Sequence, residues 1–550
     1  MKSEMISSTG PAANVALPQI TLDTTLSELY RKFSPLDGGQ SVAYLFYVPI
    51  SSMDITTDFP RNRKYIYQET TFNNLSQEAP SRETDKALHI DILKYLHGLS
   101  QRETFLAGDA PVISFYSSSS KARAEHDRHQ LARTLDTLDP HQRPNIIFCS
   151  GPKAIPLKEN GIDILSYKFV LDGIADYPLR FDLDKHWYLN SKEALATSGL
   201  PTPKCEVIHL DGCMPHAKTC CNICKDIYDG FVPSTCTGIR GEWLHKSVQN
   251  VVSRMAQRPL PFVVKNTQAY AGAGTYVTKS EEERTQLIEN FSTRLLPILF
   301  SHVTPENQHL KPGTILLTDC VEDYIGNFSI SFFVALDGSA TFLSVTDQVQ
   351  DSQAWMANII TYSQQPALEQ KTTPLMREIA KWLHGQGYSG PAGADVMETA
   401  ATQPQPQHIN VNGNLANGNL LNGTLTNGHH PNTNLSNGTL PPNGHTNPQP
   451  QPTPSAQPTS YIIDLNIRST ASFSLALLRT HFTSRGLDCA SSFAITTGAT
   501  RDEFLMTWKE DFEAGRIVVL NWYEEFGGFE GEGRERGWRG RRRRRGGEEG

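Results

Sequence analysis

The sequence predicts an α/β fold, and three observations predict it. Through the first 180 residues, short apolar runs of strand length alternate with stretches of helical periodicity. An apolar run ending at Lys265 enters a Gly-rich loop and leaves it through a second strand-like run, 276–280. Two more strand-like runs, 393–398 and 461–467, flank a long low-complexity stretch. Strand–helix–strand alternation is the pattern of an open sheet covered by helices.

The elements follow in order. Residues 42–50 read as a buried strand. Residues 84–99 read as an amphipathic helix with Leu88, Ile92, Leu93 and Leu96 on one face. A second strand is expected at 111–116, a polar helix at 121–138 and a third strand at 145–149. Asp184 opens a helix through Thr197, which Gly199, Pro201 and Pro203 stop. Strands are expected at 261–265, 314–319 and 328–336, and a helix at 375–383. The stretch 402–460 lies between two strands and so reads as an elongated hairpin loop. Such a loop costs little, because closure entropy grows slowly with length.

Composition bounds the function. The chain has 550 residues, enough for about three or four domains. Hydrophobic residues make up 38% and charged residues 20%, the balance of a soluble globular protein carrying disordered segments. Three segments read as unfolded: 1–20, 402–459 and 527–550. The middle one has no aromatic residue and no Asp, Glu, Lys or Arg, so it cannot bury enough apolar surface to offset its ordering entropy. The formal charge of −8 argues against a nucleic-acid binder. No apolar run reaches the roughly 20 residues that span a bilayer. The first 40 residues carry Glu4 and Asp23 and lack a basic start with an apolar core, so no presequence is expected. Nine Cys, an odd count, fit reduced thiols and a cytoplasmic location. Oligomeric state is not legible.

The candidate chemistry rests on a few polar groups in strand-like surroundings. Asp395 from one run and Asp464 and Asn466 from the next offer two carboxylates and an amide oxygen, a hard set suited to Mg2+. Asp464, Asn466 and Arg468 alternate, so they share one face of a strand. A solvent-facing strand edge would show the same row. Lys265 is followed by Gly272 and Gly274, which let backbone N–H groups approach a phosphate while the lysine adds a charge. A plain hairpin turn would also carry two glycines. The sequence has neither a P-loop nor a third glycine for a dinucleotide fingerprint.

The order of these pieces resembles the ATP-grasp superfamily over roughly residues 180–480. Asp-Lys and a helix ending in Gly-Leu-Pro-Thr-Pro come first. A strand, Lys265 and the Gly-rich loop follow. Then come an apolar strand running into acidic residues 319–323, Gly-Ala-Asp at 393–395, and Asp-x-Asn-x-Arg at 464–468. More narrowly, the chain is similar to fungal ATP-grasp proteins associated with secondary metabolism. The resemblance implies a pre-ATP-grasp α/β domain over 21–183 and a two-subdomain ATP-grasp fold over 184–401 and 460–490. Beside it, a Cys-rich insertion is expected at 205–236 and a C-terminal segment at 491–526.

It implies roles as well. Lys185 and Lys265 would hold the α- and β-phosphates of ATP. The loop 271–276, with Ala271, Gly272, Gly274 and Thr275, would be the lid. The stretch 319–322 would bind adenine, with Asp319 at its start and Glu322 the ribose partner. Asp395, Asp464 and Asn466 would bind Mg2+, with Mn2+ as an alternative, and Arg468 would face the transferred phosphoryl group. One departure stands out: the second metal carboxylate of the family is usually Glu, and here it is Asp464. The implied activity joins a small-molecule carboxylate, activated as an acyl phosphate, to an amine, with an amino-acid-like substrate. Ser469 and Thr470 are candidates for the substrate pocket by proximity. An ATP-grasp kinase or carboxylase and a non-catalytic nucleotide-binding scaffold are the alternatives.

Two features fall outside that pattern. Cys205, Cys213, His216, Cys220, Cys221, Cys224 and Cys236 crowd into about thirty residues, with Cys221 and Cys224 as a Cys-x2-Cys knuckle. They read either as a structural Zn2+ site, with Cys213 and His216 as further ligands, or as ordinary buried thiols and a loop. Residues 531–550 hold eight Arg and four Glu, including the run 541–545. That tail reads as a disordered end, an artefact of the reading frame, or a basic patch for a nucleic acid or import receptor.

Overall fold

A computed structural model describes residues 15–73, 82–225, 231–269, 272–351, 354–400 and 458–526. The chain builds three sheets. The first holds β1 (Val42–Leu45), β2 (Pro111–Phe115), β3 (Asn145–Cys149) and β4 (Ile164–Tyr167), all parallel, in the order β3-β2-β1-β4. These strands are short and largely apolar because helices cover a parallel sheet. The helix Arg82–Leu106 places Ile92, Leu93 and Leu96 in that core.

The second sheet is antiparallel. It holds β5 (Cys205–Ile208), β6 (Phe262–Asn266), β7 (Thr275–Thr278) and β8 (Ile315–Asp319), in the order β5-β8-β6-β7. The helix Ile239–Gln257 buries Val248, Val251, Val252 and Met255 against Phe262, Val264, Ile315 and Leu317. The third sheet holds β9 (Tyr324–Val334), β10 (Ala340–Asp351), β11 (Ala354–Thr361), β12 (Gly390–Thr399), β13 (Thr459–Asn466) and β14 (Cys489–Phe493). Its order is β13-β12-β9-β10-β11-β14, all antiparallel. The helix Gln365–Gly385 packs Met376, Ile379, Ala380 and Leu383 on it.

This is the α/β class the sequence predicts: an open parallel sheet, then two antiparallel sheets joined by residues 320–323. Several elements differ in detail. The expected strand 42–50 ends at Leu45, although 46–50 stay buried. The single helix expected at 184–197 is two helices, Leu183–Leu189 and Lys192–Thr197. Ser191 restarts the chain as an N-cap, its hydroxyl accepting from the Ala194 N–H. Cys205 lies in β5 rather than in an insertion. Ile20, expected in an unfolded segment, is 3% exposed and bridges to Leu138. Residues 491–526 pack back on the helices Lys121–Leu135 and Arg82–Leu106, through Arg133 to Asp502 and Trp522 N–H to Gln101 Oε1 at 2.9 Å. Of the stretch 402–459 expected to be unfolded, residues 402–457 lie outside the described residues, while Thr459 already begins β13; the tail 527–550 and residues 1–14 also lie outside. No helix among the described residues is long and apolar enough to cross a membrane.

Candidate active site

The second and third sheets meet where β6 faces β13. On the third sheet, Asp395 pairs directly with Asp464 across β12–β13 and with Ser329 across β12–β9. Asn466 pairs with Gly393. A Cβ on Gly393 would fall 2.4 Å from the Thr470 methyl, so the chain after Arg468 can cross close over β12 only because that position is glycine.

Asp395 is held by amide donors. Gln348 Nε2 donates to its Oδ1 at 2.7 Å and Asn466 Nδ2 to its Oδ2 at 3.4 Å. Desolvation, reinforced by the neighbouring Asp464 carboxylate, pushes the Asp395 carboxyl up to about 6. Two facing carboxylates with an amide oxygen beside them fit a divalent cation, which would offset that desolvation and repulsion. Arg468 spreads its fork between two amides. Nη1 donates to Asn190 Oδ1 and Nη2 to Asn466 Oδ1, both at 2.6 Å, and the guanidinium lies 5.0 Å over the Phe169 ring.

Two lysines reach the same place. Lys265, from β6, donates its Nζ to the Ile463 carbonyl on β13 at 2.6 Å and so bridges the two sheets. Its ammonium is pulled below the usual lysine range by desolvation, against the pull of Asp464. Lys192, at the start of the second short helix, forms an ion pair with Asp464. Its backbone N–H donates to Thr267 O at 3.0 Å, which ties that helix to the glycine loop. In that loop Gly272 and Gly274 have φ of 78° and 97°, and a Cβ on Gly274 would stand 2.8 Å from the Ala269 Cβ. The loop closes with Asn266 N–H on Gly274 O at 2.8 Å, and Lys265 pairs with Thr275 across the hairpin.

The remaining predicted residues stand apart from this cluster. Lys185 is exposed on its helix, its backbone N–H held by the Asp182 N-cap at 2.9 Å. Asp319, at the end of β8, binds Arg258. Glu322 is exposed in the link between the two sheets, next to Asp323, whose φ is 50°. Ala271 lies outside the described residues.

Arg468 also lines a neighbouring pocket with Lys168, Arg180, Tyr30 and Ser469. Lys168 is buried, and its burial lowers the ammonium to about 7 despite Glu103 Oε1 at 2.5 Å. Ser469 Oγ donates to Glu103 Oε2 at 2.5 Å. Arg180 lies 4.2 Å over the Tyr30 ring. Thr470 turns the other way, its hydroxyl 3.0 Å from that of Ser331 and 2.7 Å from that of Ser472.

Lys192, Asn190, Gln348, Lys168 and Glu103 were not singled out in the sequence. Lys192 and Asn190 had a signal: Asn190-Ser191-Lys192 is a helix end followed by an N-cap, hidden when 184–197 is read as one helix. Gln348, Lys168 and Glu103 come together only through tertiary packing.

No protein-family model matches the chain. No curated protein matches it. Among solved structures it is similar to N5-carboxyaminoimidazole synthetase from Staphylococcus aureus complexed with ADP, at 10% identity and a TM-score of 0.34, over 66% of this chain and 68% of that one. It is also similar to L-amino acid ligase from Bacillus licheniformis, at 11% identity and a TM-score of 0.30, over 66% of this chain and 64% of that one. A third is carboxyaminoimidazole ribonucleotide synthase from Aspergillus clavatus complexed with ATP, at 12% identity and a TM-score of 0.31, over 55% of this chain and 65% of that one.

Proposed function

We propose that this chain is an ATP-grasp ligase, dependent on ATP and Mg2+, that activates a small-molecule carboxylate as an acyl phosphate and couples it to an amine. One observation carries the reading. Lys192 and Lys265, with the glycine hairpin, meet Asp395, Asp464, Asn466 and Arg468 where the two antiparallel sheets face each other. Cationic groups on one wall and hard oxygen donors on the other suit a nucleotide triphosphate held between them.

In this reading Lys192 and Lys265 bind the phosphates, and Lys185 stays at the rim. Asp395, Asp464 and Asn466 would hold Mg2+, or Mn2+, whose chemistry is to neutralise phosphate charge. Lys192 and Arg468 then give up their present partners among these oxygens and turn to the nucleotide. Residues 319–322, with Asp319 and Glu322, lie in the link between the sheets, where a nucleoside could rest. The hairpin carrying Gly272 and Gly274 closes over the phosphates and excludes water. The substrate carboxylate lies by Lys168 and Arg180, on the far side of Arg468, and attacks the γ-phosphate. Arg468 donates to the transferred phosphoryl group as charge develops, and the lysines hold the departing ADP. The amine then displaces phosphate from the acyl phosphate. Nine free thiols fit a reducing, cytosolic setting. An amino-acid-like substrate and a place in secondary metabolism are the specific forms of this reading.

The test is ADP and phosphate release from ATP and Mg2+ with pooled carboxylic acids and amines, beside Asp464→Ala. Release that requires both an acid and an amine, and disappears in the variant, is expected. Turnover with one substrate alone would replace the ligase with a phosphotransferase or carboxylase. ATP binding without turnover in any pool would favour the non-catalytic scaffold.

A further inference from the structure

The cysteine-rich connection between β5 and the helix Ile239–Gln257 gathers four of its thiols at one point. Cys220, Cys221, Cys224 and Cys236 place their sulfurs within 4.8 Å of one another. The Cys236 Sγ is 3.6 Å from that of Cys220, 3.9 Å from that of Cys221 and 3.4 Å from that of Cys224. A disulfide needs about 2.05 Å, and all four cysteines are free. Four thiolates around a tetrahedral Zn2+ at about 2.3 Å stand roughly 3.8 Å apart. The three separations from Cys236 bracket that value.

The surroundings are built to the same point. Cys221 O accepts from Cys224 N–H at 3.0 Å and from Lys225 N–H at 3.2 Å, the tight turn a Cys-x2-Cys knuckle needs. Two glycines let the helix start reach the sulfurs. A Cβ on Gly238 would fall 2.7 Å from Cys220 Sγ, and one on Gly241 would fall 2.1 Å from Cys236 O. The cluster therefore sits against the first turn of a 19-residue helix, whose end favours negative charge. Arg240, in that turn, is completely buried. The described part of 209–238 otherwise contributes only Met214, Ala217, Cys224 and Val232 to the buried apolar set. A stretch with so little core needs another source of order.

We propose that Cys220, Cys221, Cys224 and Cys236 bind one structural Zn2+ that fastens the 209–238 connection to the N-terminus of the helix Ile239–Gln257. The ligand set differs from the one the sequence suggested. Cys205 is in β5, where its sulfur accepts from the Thr318 hydroxyl at 3.5 Å, and Cys213 and His216 are outside the group. Four sulfur ligands leave no open position, so the metal is structural and not catalytic. The proposal does not depend on the ligase reading.

The test is elemental analysis of the full-length protein purified without chelator, with zinc released by titrating its thiols. One zinc per chain is expected, released as four thiols are modified. Cys205→Ser and Cys213→Ser should keep it, while Cys224→Ser and Cys236→Ser should lose it. Where those two fail to fold, X-ray absorption on the wild type replaces them, with four sulfurs at about 2.3 Å expected. Zinc at background, iron in its place, a shell containing nitrogen, or disulfides within the cluster by non-reducing mass spectrometry would each overturn the assignment.

Discussion

Lys185 and Lys192 are seven residues apart, yet a break in the chain gives them different fates. Asn190 ends one short helix, and its side chain then serves Arg468 at 2.6 Å. Ser191 caps the next helix and points Lys192 at Asp464. If the cleft binds ATP through these groups, Lys192→Met should lower kcat/KM about 100-fold or more, the loss of one preorganised charge. Lys185→Met should stay within a few-fold, and steady-state kinetics on the two variants checks this. Arg468→Lys separates binding from chemistry. A lysine keeps the charge but cannot stay on Asn190 with one arm while the other meets the phosphoryl group. A kcat lowered more than about 10-fold, with the KM for ATP little changed, is expected for a group that acts on the developing charge. Equal kcat in wild type and Arg468→Lys would remove Arg468 from that role. Lys265, Asp395, Asp464 and Asn466 were legible in the sequence because polar residues inside apolar strands are conspicuous. Lys192 was not, because its cap fell inside a stretch with continuous helical periodicity.

At the scale of elements, β12 and β13 pair from Gly393–Asn466 to Thr399–Thr459, so 59 intervening residues begin and end on adjacent strands. The carboxylate pair Asp395–Asp464 depends on that ladder and not on what lies between its ends. Replacing 401–457 by a short turn should therefore leave the ladder and the ligand geometry intact. Loop-closure entropy predicts a gain of about 2 kcal/mol from the shorter connection. Urea unfolding and ATP binding of the shortened chain measure both, and lost binding with an intact fold would give the segment a part in the site. This hairpin was legible because two apolar strands flank a stretch without a core. The strands β4, β5, β10, β11 and β14 were not. In β14 the exposed and half-exposed residues alternate and none is buried, so it exists through its ladder to β11 rather than through its own pattern. β5 hid inside the cysteine run, and its pairing with β8 is a contact across more than a hundred residues.

Across the whole molecule, one buried histidine and one half-buried histidine sit where separate parts of the fold meet. His186 ties the first of the short helices to the end of β13, its Nε2–H donating to Ile467 O at 2.8 Å, among the rings of Tyr167, Phe181 and Tyr388. Its Nδ1 has no hydrogen-bond partner among the described residues. His302, at the end of the helix Leu296–Ser301, packs edge-on against Phe72 from before the first domain's long helix. Burial pulls both imidazoles down to about 4. An unfolded chain takes up these protons below about 6.5, while the folded chain holds out to about 4. The stability tied to the neutral rings is therefore complete above 6.5 and lost as pH falls from 6.5 towards 4. Each histidine should cost about 1 kcal/mol between pH 7 and pH 5.5. The urea midpoint measured at both pH values reads this directly. His186→Gln and His302→Gln remove the titrating group, so each variant should show a shallower acid slope than wild type by about that amount, whatever its stability at pH 7. Slopes identical to wild type would mean that carboxylates elsewhere govern the acid response. The shallower slopes would instead locate the first acid-induced loosening at the contacts these two histidines make.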